Sequence, residues 1–282
     1  MSIIDVQPYY SAEVALEGIT EIVDKSFGSM VNAISNFFPS LKSSFDGAIE
    51  SVSKLKPLAS DVVNSLSIGY GRSETKEMDL TPFSRVNVRV PEGFTGNLDE
   101  YSDFLARSWK FIQAEAIPQM DNLYGQLASF ASNKSSKISL ADTSLIFQSV
   151  DASYQALAKE SQSYFGKNRH NSTKSDIGTA YGQYYQVLHT ESRVANLVRE
   201  LNPKQVQQVL DKIKRISSVL DVIITDAQAK DYDRASFEAV KGMATGVYAM
   251  AQAMEFFSLT YYRINEMGVV CKENKNIIAK LK

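Results

Sequence analysis

Hydrophobic residues recur along most of this chain at alternating intervals of three and four, the spacing that places side chains on one face of an α-helix. The clearest run lies between Asp233 and Gly268, and its members are Val240, Met243, Val247, Met250, Met254, Phe257, Tyr261 and Ile264. Small residues accompany this seam at helical spacing, namely Gly242, Gly246, Ala249 and Ala253. Because small side chains let a neighbour approach closely, we predict a central helix around which other helices pack.

Two further seams are nearly as regular. One precedes the central helix and comprises Val206, Val209, Ile213, Ile216, Leu220, Ile223 and Ala227. The other predicts a helix over 98–132 and comprises Tyr101, Leu105, Trp109, Ile112, Ala116, Met120, Leu123, Leu127 and Phe130. We expect Asn202 to cap the start of the first of these helices and Asn97 to cap the start of the second. Pro118 should kink the second helix.

Weaker patterns predict helices over 11–37, 41–55, 62–66, 140–165 and 176–201, and one short helix after Gly268. Residues 67–96 interrupt the helical pattern with glycine and proline, and within them Arg85–Val90 alternates apolar and polar residues as a strand does. A single strand needs a hydrogen-bonding partner. It can find one within this loop, it can pair with another chain, or it can lie extended over the helices.

These patterns predict an all-α protein, an elongated antiparallel helical bundle with a long extended loop at about 67–96 that carries one short strand. Along the chain we distinguish N-terminal amphipathic helices (1–66), the extended arm (67–96), a helical hairpin (97–165) and a helical bundle with a long C-terminal helix (166–282). The pattern does not decide between one bundle and two.

Composition narrows the class of protein. The chain has 282 residues and a formal net charge of −2, which gives no general attraction to nucleic acid or anionic membranes. One cysteine, Cys271, excludes an intrachain disulfide and multi-cysteine metal sites. The first residues lack a basic segment, and no apolar run approaches the length of a membrane span. We therefore expect a cytoplasmic protein, located in the host cytoplasm and in the virion if the chain is viral.

A search for catalytic patterns gives no catalytic, cofactor-binding or metal-binding residue. Ser51 and Lys54 match Ser-x-x-Lys without companion motifs, and Asp231 and Asp233 lie where a helix cap is needed. His189 lies within a predicted helix with no acidic or nucleophilic partner nearby in sequence. The tyrosines, such as Tyr261 and Tyr262, follow helical seams, which favours core or interface packing. We expect a protein that is not an enzyme and needs no cofactor.

Two groups of residues are candidates for contact with other molecules. The N-terminal helices have polar faces rich in serine and poor in charge, so they either dock on their own chain or pack into other subunits. The candidate partner-binding residues there and in the strand are Phe27, Met30, Ile34, Phe37, Phe38, Val86, Val88 and Val90. Basic residues in two predicted loops form a candidate anion-binding patch, comprising Lys134, Lys137, Lys167, Arg169 and Lys174.

With long helices rich in Ser, Asn and Tyr, an extended arm with one strand and no catalytic motif, the chain resembles helical virion or tail-assembly proteins of bacteriophages. The resemblance implies a non-enzymatic structural or assembly protein that contacts itself or other subunits of a complex. Two alternatives stay open. One is a nucleic-acid-associated accessory protein that uses the basic loops, and the other is a membrane-active helical protein, for which the N-terminal polar faces lack the usual lysine and arginine.

Overall fold

The structure is a computed structural model that describes residues 39, 42–66, 86–91, 93–133, 140–165, 174–177, 181–228 and 234–279. Helices account for most of these residues. Residues 42–53 form α1. The other helices are α2 (Ser60–Ser65), α3 (Leu98–Phe111), α4 (Ile117–Asn133), α5 (Leu140–Ser163), α6 (Tyr181–Glu200), α7 (Pro203–Gln228) and α8 (Arg234–Ala279). Two four-residue strands, β1 (Val86–Arg89) and β2 (Lys174–Ile177), pair in antiparallel orientation. The all-α prediction is confirmed.

The predicted caps explain where two of these helices begin. The Asn97 side chain accepts hydrogen bonds from the backbone N–H groups of Asp99 and Glu100 at 2.8 and 3.2 Å. The Asn202 side chain accepts one from the backbone N–H of Lys204 at 2.9 Å, directly before Pro203 opens α7. Each asparagine therefore satisfies donors that have no partner within the first helical turn.

Between α3 and α4 the helix widens into a π-helical segment, Ile112–Ala116. Pro118 follows two residues later, where it lacks the N–H that an α-helix would direct at the carbonyl of Ala114. A widened turn is one of the ways in which a helix accommodates such a break. The irregularity that we predicted at Pro118 therefore lies on its N-terminal side.

Among the side chains that the structure describes, the three predicted seams are buried, except that Val206 near the start of α7 is partly exposed. In α8, every described member from Met243 to Ile264 is at most 1 % exposed. All nine members of the seam from Tyr101 to Phe130 are at most 2 % exposed, and Val209 to Ile223 in α7 are equally buried. These faces supply the core because burying apolar surface is the main favourable term in folding.

The chain folds into two compact units, each drawn from distant segments of sequence. Unit one combines Met1–Ser53, Ala116–Asp151 and Val209–Met254, and unit two combines Lys54–Glu115, Ala152–Gln208 and Glu255–Lys282. In unit one, Phe45, Ala48 and Val52 of α1 are fully buried. In unit two, five aromatic rings at the start of α3 and the end of α5 lie 5.1 to 6.4 Å apart, those of Phe94, Tyr101, Phe104, Tyr164 and Phe165.

Two predicted element boundaries are wrong. Residues 176–177 belong to β2, and α6 begins at Tyr181 instead of Asp176. The helix does not end near Gly268, because α8 continues to Ala279. Gly268 serves packing here: a Cβ atom on it would lie 2.6 Å from a methyl carbon of Leu58. The glycine therefore marks a close approach by a side chain and not a helix end.

Candidate interaction surface

The partner-binding residues predicted from sequence fall into two groups in the structure. Phe27, Met30, Ile34, Phe37 and Phe38 lie outside the described residues. Val86 and Val88 lie on β1, in register with Ile177 and Ser175 of β2, and Val90 is buried. The sequence left the partner of this strand open. In the structure β1 pairs within its own chain, with β2, a segment that lies beyond the 67–96 loop. Val90 is a core residue of unit two and not a surface contact.

The backbone of β1 also forms hydrogen bonds with a side chain of α8, within unit two. Asn274 of α8, only 1 % exposed, accepts a hydrogen bond from the Arg89 N–H at 2.6 Å and donates one to the Arg89 carbonyl at 3.0 Å. The Arg89 guanidinium pairs with Glu273 at 3.1 Å. The Asn274 side-chain amide thus bonds to β1 as the backbone of a third strand would.

The predicted anion-binding patch is described only in small part. Lys134, Lys137, Lys167 and Arg169 lie outside the described residues, and Lys174 is the first residue of β2, in register with Arg89. The structure therefore describes one of the five residues, on a strand. That the five residues form one patch stays a prediction.

A contact between His189 and Asp99 joins α6 to α3. The local sequence could not reveal this partner, because the two residues are far apart in the chain. The Nδ1 atom of His189 lies 3.2 Å from an Asp99 carboxylate oxygen, and Arg193 donates to that same oxygen at 2.9 Å. Arg193 also donates to the Asp99 carbonyl and to Ser102 Oγ, each at 2.9 Å. Ser102 Oγ in turn donates to the Asp99 carbonyl at 2.8 Å, so its proton is directed away from the imidazole. This geometry fastens α6 to the start of α3 and does not align a nucleophile with a base.

Other charged groups of unit two are paired in a similar way. The Arg107 guanidinium donates two hydrogen bonds to Glu160, at 2.9 and 2.5 Å, and it holds the pKa of that carboxyl below its usual range. Glu191, almost fully buried, accepts from Lys275 at 3.1 Å. Burial raises the pKa of the Cys271 thiol, and the Glu191 carboxylate adds to this effect. The thiol is therefore protonated and unreactive at neutral pH.

Two searches of the described residues bear on other kinds of site. They contain no group of three or more His, Cys, Asp or Glu side chains placed to hold a metal ion. In the same part of the chain, no helix combines the length and apolar character that crossing a membrane requires.

The outward side of α8 in unit two has an unusual composition for a surface. We call it the outer face of α8, and it comprises Glu255, Leu259, Tyr262, Glu266, Val269, Glu273 and Asn276. The intervals of four and three place these residues on one side of the helix, opposite the buried seam. Tyr262 and Val269 are 46 % and 39 % exposed, one heptad apart. An apolar pair thus occupies positions at which a solvated helix carries polar residues.

The carboxylates on the outer face of α8 differ in their surroundings. Glu266 accepts from Arg263 at 2.6 Å, and the Arg263 guanidinium lies 4.4 Å from the centre of the Phe165 ring. Glu255 has no hydrogen-bond or ion-pair partner among the described residues, and burial raises the pKa of its carboxyl. One end of this face therefore holds a partly desolvated carboxylate without a counter-charge in the described chain.

Unit one exposes large apolar side chains too, but on separate helices. Tyr124 lies on α4 and is 37 % exposed, whereas Val222 lies on α7 and is 49 % exposed. Scattered apolar residues of this kind are ordinary on soluble proteins. They provide a chemically matched comparison for Tyr262 and Val269.

Comparison of the chain with protein-family models, with curated proteins and with solved structures finds no match.

The sequence contained a signal for the outer face of α8. The seam that ends with Tyr261 and Ile264 fixes which side of the helix is buried. The opposite side then includes Leu259, Tyr262 and Val269 where polar residues are expected. Glu255 could not be recognised in this way, because helical periodicity does not tell how far a carboxylate on this side is buried.

Proposed function

We propose that the chain is a non-enzymatic structural or assembly protein that works through protein–protein contacts in a larger complex, of the kind found in bacteriophage virions or tails. The observation that carries this proposal is the outer face of α8, where Tyr262 and Val269 are exposed one heptad apart. Apolar residues at this spacing form the contact stripe by which one helix packs against another. Within this proposal, the protein resides in the cytoplasm of the host and in the assembled particle.

The structure changes which part of the chain supports the proposal. Among the N-terminal helices, Phe45, Val52, Val62 and Leu66 are buried within their own chain. Residues 42–66 therefore follow the docked alternative, and their weakly charged faces no longer argue for contact with other subunits. The contact surface moves to α8. Phe27 to Phe38, the long loop over 67–96 and the elongated form of the bundle remain predictions from sequence.

The proposal is tested by two double variants that remove the same chemical groups from different helices. Tyr262→Ser with Val269→Ser changes the outer face of α8, and Tyr124→Ser with Val222→Ser changes exposed positions in unit one. Extracts of the native host are separated by size, and the distribution of the chain between complexes and free protein is measured. We expect the α8 variant to leave the complexes and the unit-one variant to remain in them.

The result that contradicts the proposal is equally clear. If wild-type protein elutes only as a free monomer, or if both double variants stay in the complexes, the outer face of α8 does not hold an assembly together. Circular dichroism of each variant checks that the helices are intact, so that a loss of fold is not mistaken for a loss of contact.

The two alternatives rest on the sequence. For the nucleic-acid hypothesis, replacement of Lys167, Arg169 and Lys174 by alanine should weaken binding to DNA or RNA and flatten its salt dependence. For the membrane hypothesis, the chain should float with liposomes in a density gradient.

A further inference from the structure

We infer that the partner segment that docks on the outer face of α8 is a helix that carries lysine or arginine beside its apolar residues. This inference rests on the proposed function and specifies the chemistry of its partner. The argument uses the charge of the outer face, the state of Glu255 and the consequence of pairing two copies of the same face.

The charge of the outer face has one sign. Its seven residues include three glutamates, Glu255, Glu266 and Glu273, and no lysine or arginine. Glu266 and Glu273 have cationic neighbours within the chain, in Arg263 and Arg89. Glu255 has no such neighbour among the described residues. A partner that covers this face brings apolar surface to Tyr262 and Val269, and a cation on that partner beside Glu255 offsets the desolvation of this carboxylate.

A second copy of this chain fits the same face poorly. If two outer faces pack in parallel, each glutamate lies opposite its own counterpart. If they pack antiparallel so that Leu259 meets Val269, then Glu255 lies opposite Glu273 of the other copy. Since the face holds no lysine or arginine, an arrangement that pairs it with itself supplies no cation from the face. The charges therefore favour a different, basic partner over self-association.

Two synthetic peptides test this inference directly. One is an amphipathic helix with leucine along its apolar seam and lysine beside it, and the other has glutamate in place of each lysine. Fluorescence anisotropy measures the binding of both to the full chain. We expect the lysine peptide to bind at least about tenfold more tightly, with a difference that shrinks at high salt.

Variants of the chain then locate the contact. Glu255→Gln should weaken binding of the lysine peptide by about three- to tenfold, because the charge that attracts the partner is lost while the shape is kept. Tyr262→Ser with Val269→Ser should abolish binding. Tyr124→Ser with Val222→Ser, the matched control in unit one, should bind as the wild type does.

The outcomes separate the inference from the proposed function. Equal binding of the two peptides, no binding of the lysine peptide, or an unchanged affinity in Glu255→Gln would overturn the basic character of the partner. None of these results affects the size distribution of native complexes, which decides the proposed function independently. If the α8 double variant leaves the complexes but the lysine peptide does not bind, the outer face of α8 is still the contact surface. The basic character of the partner is then wrong.

Discussion

Glu255 shows how much a single residue can reveal about a surface. Its carboxylate is partly buried, it lacks a cationic neighbour in the described part of the chain, and burial raises its pKa. A raised carboxyl pKa means that the folded state binds a proton more readily than the unfolded state does. The free energy of unfolding therefore falls as pH rises from the acidic range through the folded-state pKa of Glu255. At neutral pH, the ionised carboxylate lowers the stability of the free protein.

We predict that Glu255→Gln stabilises the free protein at neutral pH. Glutamine keeps the shape and removes the charge, so the gain should be on the order of 1 kcal/mol, the scale of a partly buried polar group without a partner. Thermal unfolding measured from pH 3 to pH 8 should show that the gain disappears in the acidic range, where the wild-type carboxyl is protonated. A variant less stable than the wild type at pH 7 would mean that Glu255 has an ionic partner in the folded protein.

Asn274 leads to a second prediction at the residue scale. Its buried amide forms two hydrogen bonds with the backbone of Arg89. Asn274→Leu keeps a similar volume but leaves a donor and an acceptor on β1 without partners, which should cost about 1–3 kcal/mol. Hydrogen exchange should then be faster at the Arg89 amide. Asn276→Leu, an exposed position on the same helix, is the control and should leave that amide protected.

At the scale of helices, two glycines offer opposite outcomes for the same substitution. A Cβ atom on Gly246 of α8 would lie 2.8 Å from two ring carbons of Phe147 and 3.1 Å from a methyl carbon of Leu123. A Cβ atom on Gly125, exposed on α4, would meet nothing within 4 Å. Alanine is favoured over glycine within a helix by up to about 1 kcal/mol. The substitution should show this gain only where the new atom has space.

We therefore predict that Gly125→Ala raises the free energy of unfolding by about 0.5–1 kcal/mol. Gly246→Ala should lower it by about 1–3 kcal/mol, because the Phe147 ring has to move. Both changes are measured by urea unfolding followed by circular dichroism. Equal stabilisation by the two substitutions would show that the space beside Gly246 is larger than the contact with Phe147 indicates.

The helices could be predicted from sequence because their signals are local. The seams of α3, α4, α7 and α8 repeat every three or four residues, and Asn97 and Asn202 cap the helices that follow them. β2 could not be predicted, because Lys-Ser-Asp-Ile does not alternate as a strand does and is paired through β1 from far away in sequence. The role of Gly268 was misread for a similar reason, since its close neighbour Leu58 is distant in the chain.

The candidate surface was predictable only in outline. Helical periodicity identifies the outward side of α8, including Tyr262 and Val269, once the buried seam is known. The burial of Glu255 and the pairing of Glu266 with Arg263 require the folded structure. Val90, a predicted contact residue, is buried in the folded chain. Local patterns tell which side of an element is apolar, but not whether the chain itself covers that side.

At the scale of the whole molecule, the two units share helices. α8 supplies Met243 to Met254 to the core of unit one and Phe256 to Cys271 to the core of unit two. α7 similarly contributes residues on both sides of the division. Loss of packing in either unit therefore weakens helices on which the other depends. We expect the units to unfold together, although each has its own core.

Cys271 can test this expectation, because it is the one thiol of the chain and lies buried in unit two. Burial raises its pKa, so the reactive thiolate is rare in the folded protein and labelling should be slow until unit two opens. With increasing urea, the midpoint of thiol labelling should coincide with the midpoint of helix loss. Gly246→Ala, a change in unit one, should lower both midpoints together, and Gly125→Ala should raise both. A labelling midpoint that stays constant in these variants would show that unit two unfolds independently, because the shared helices would then transmit no stability from one core to the other.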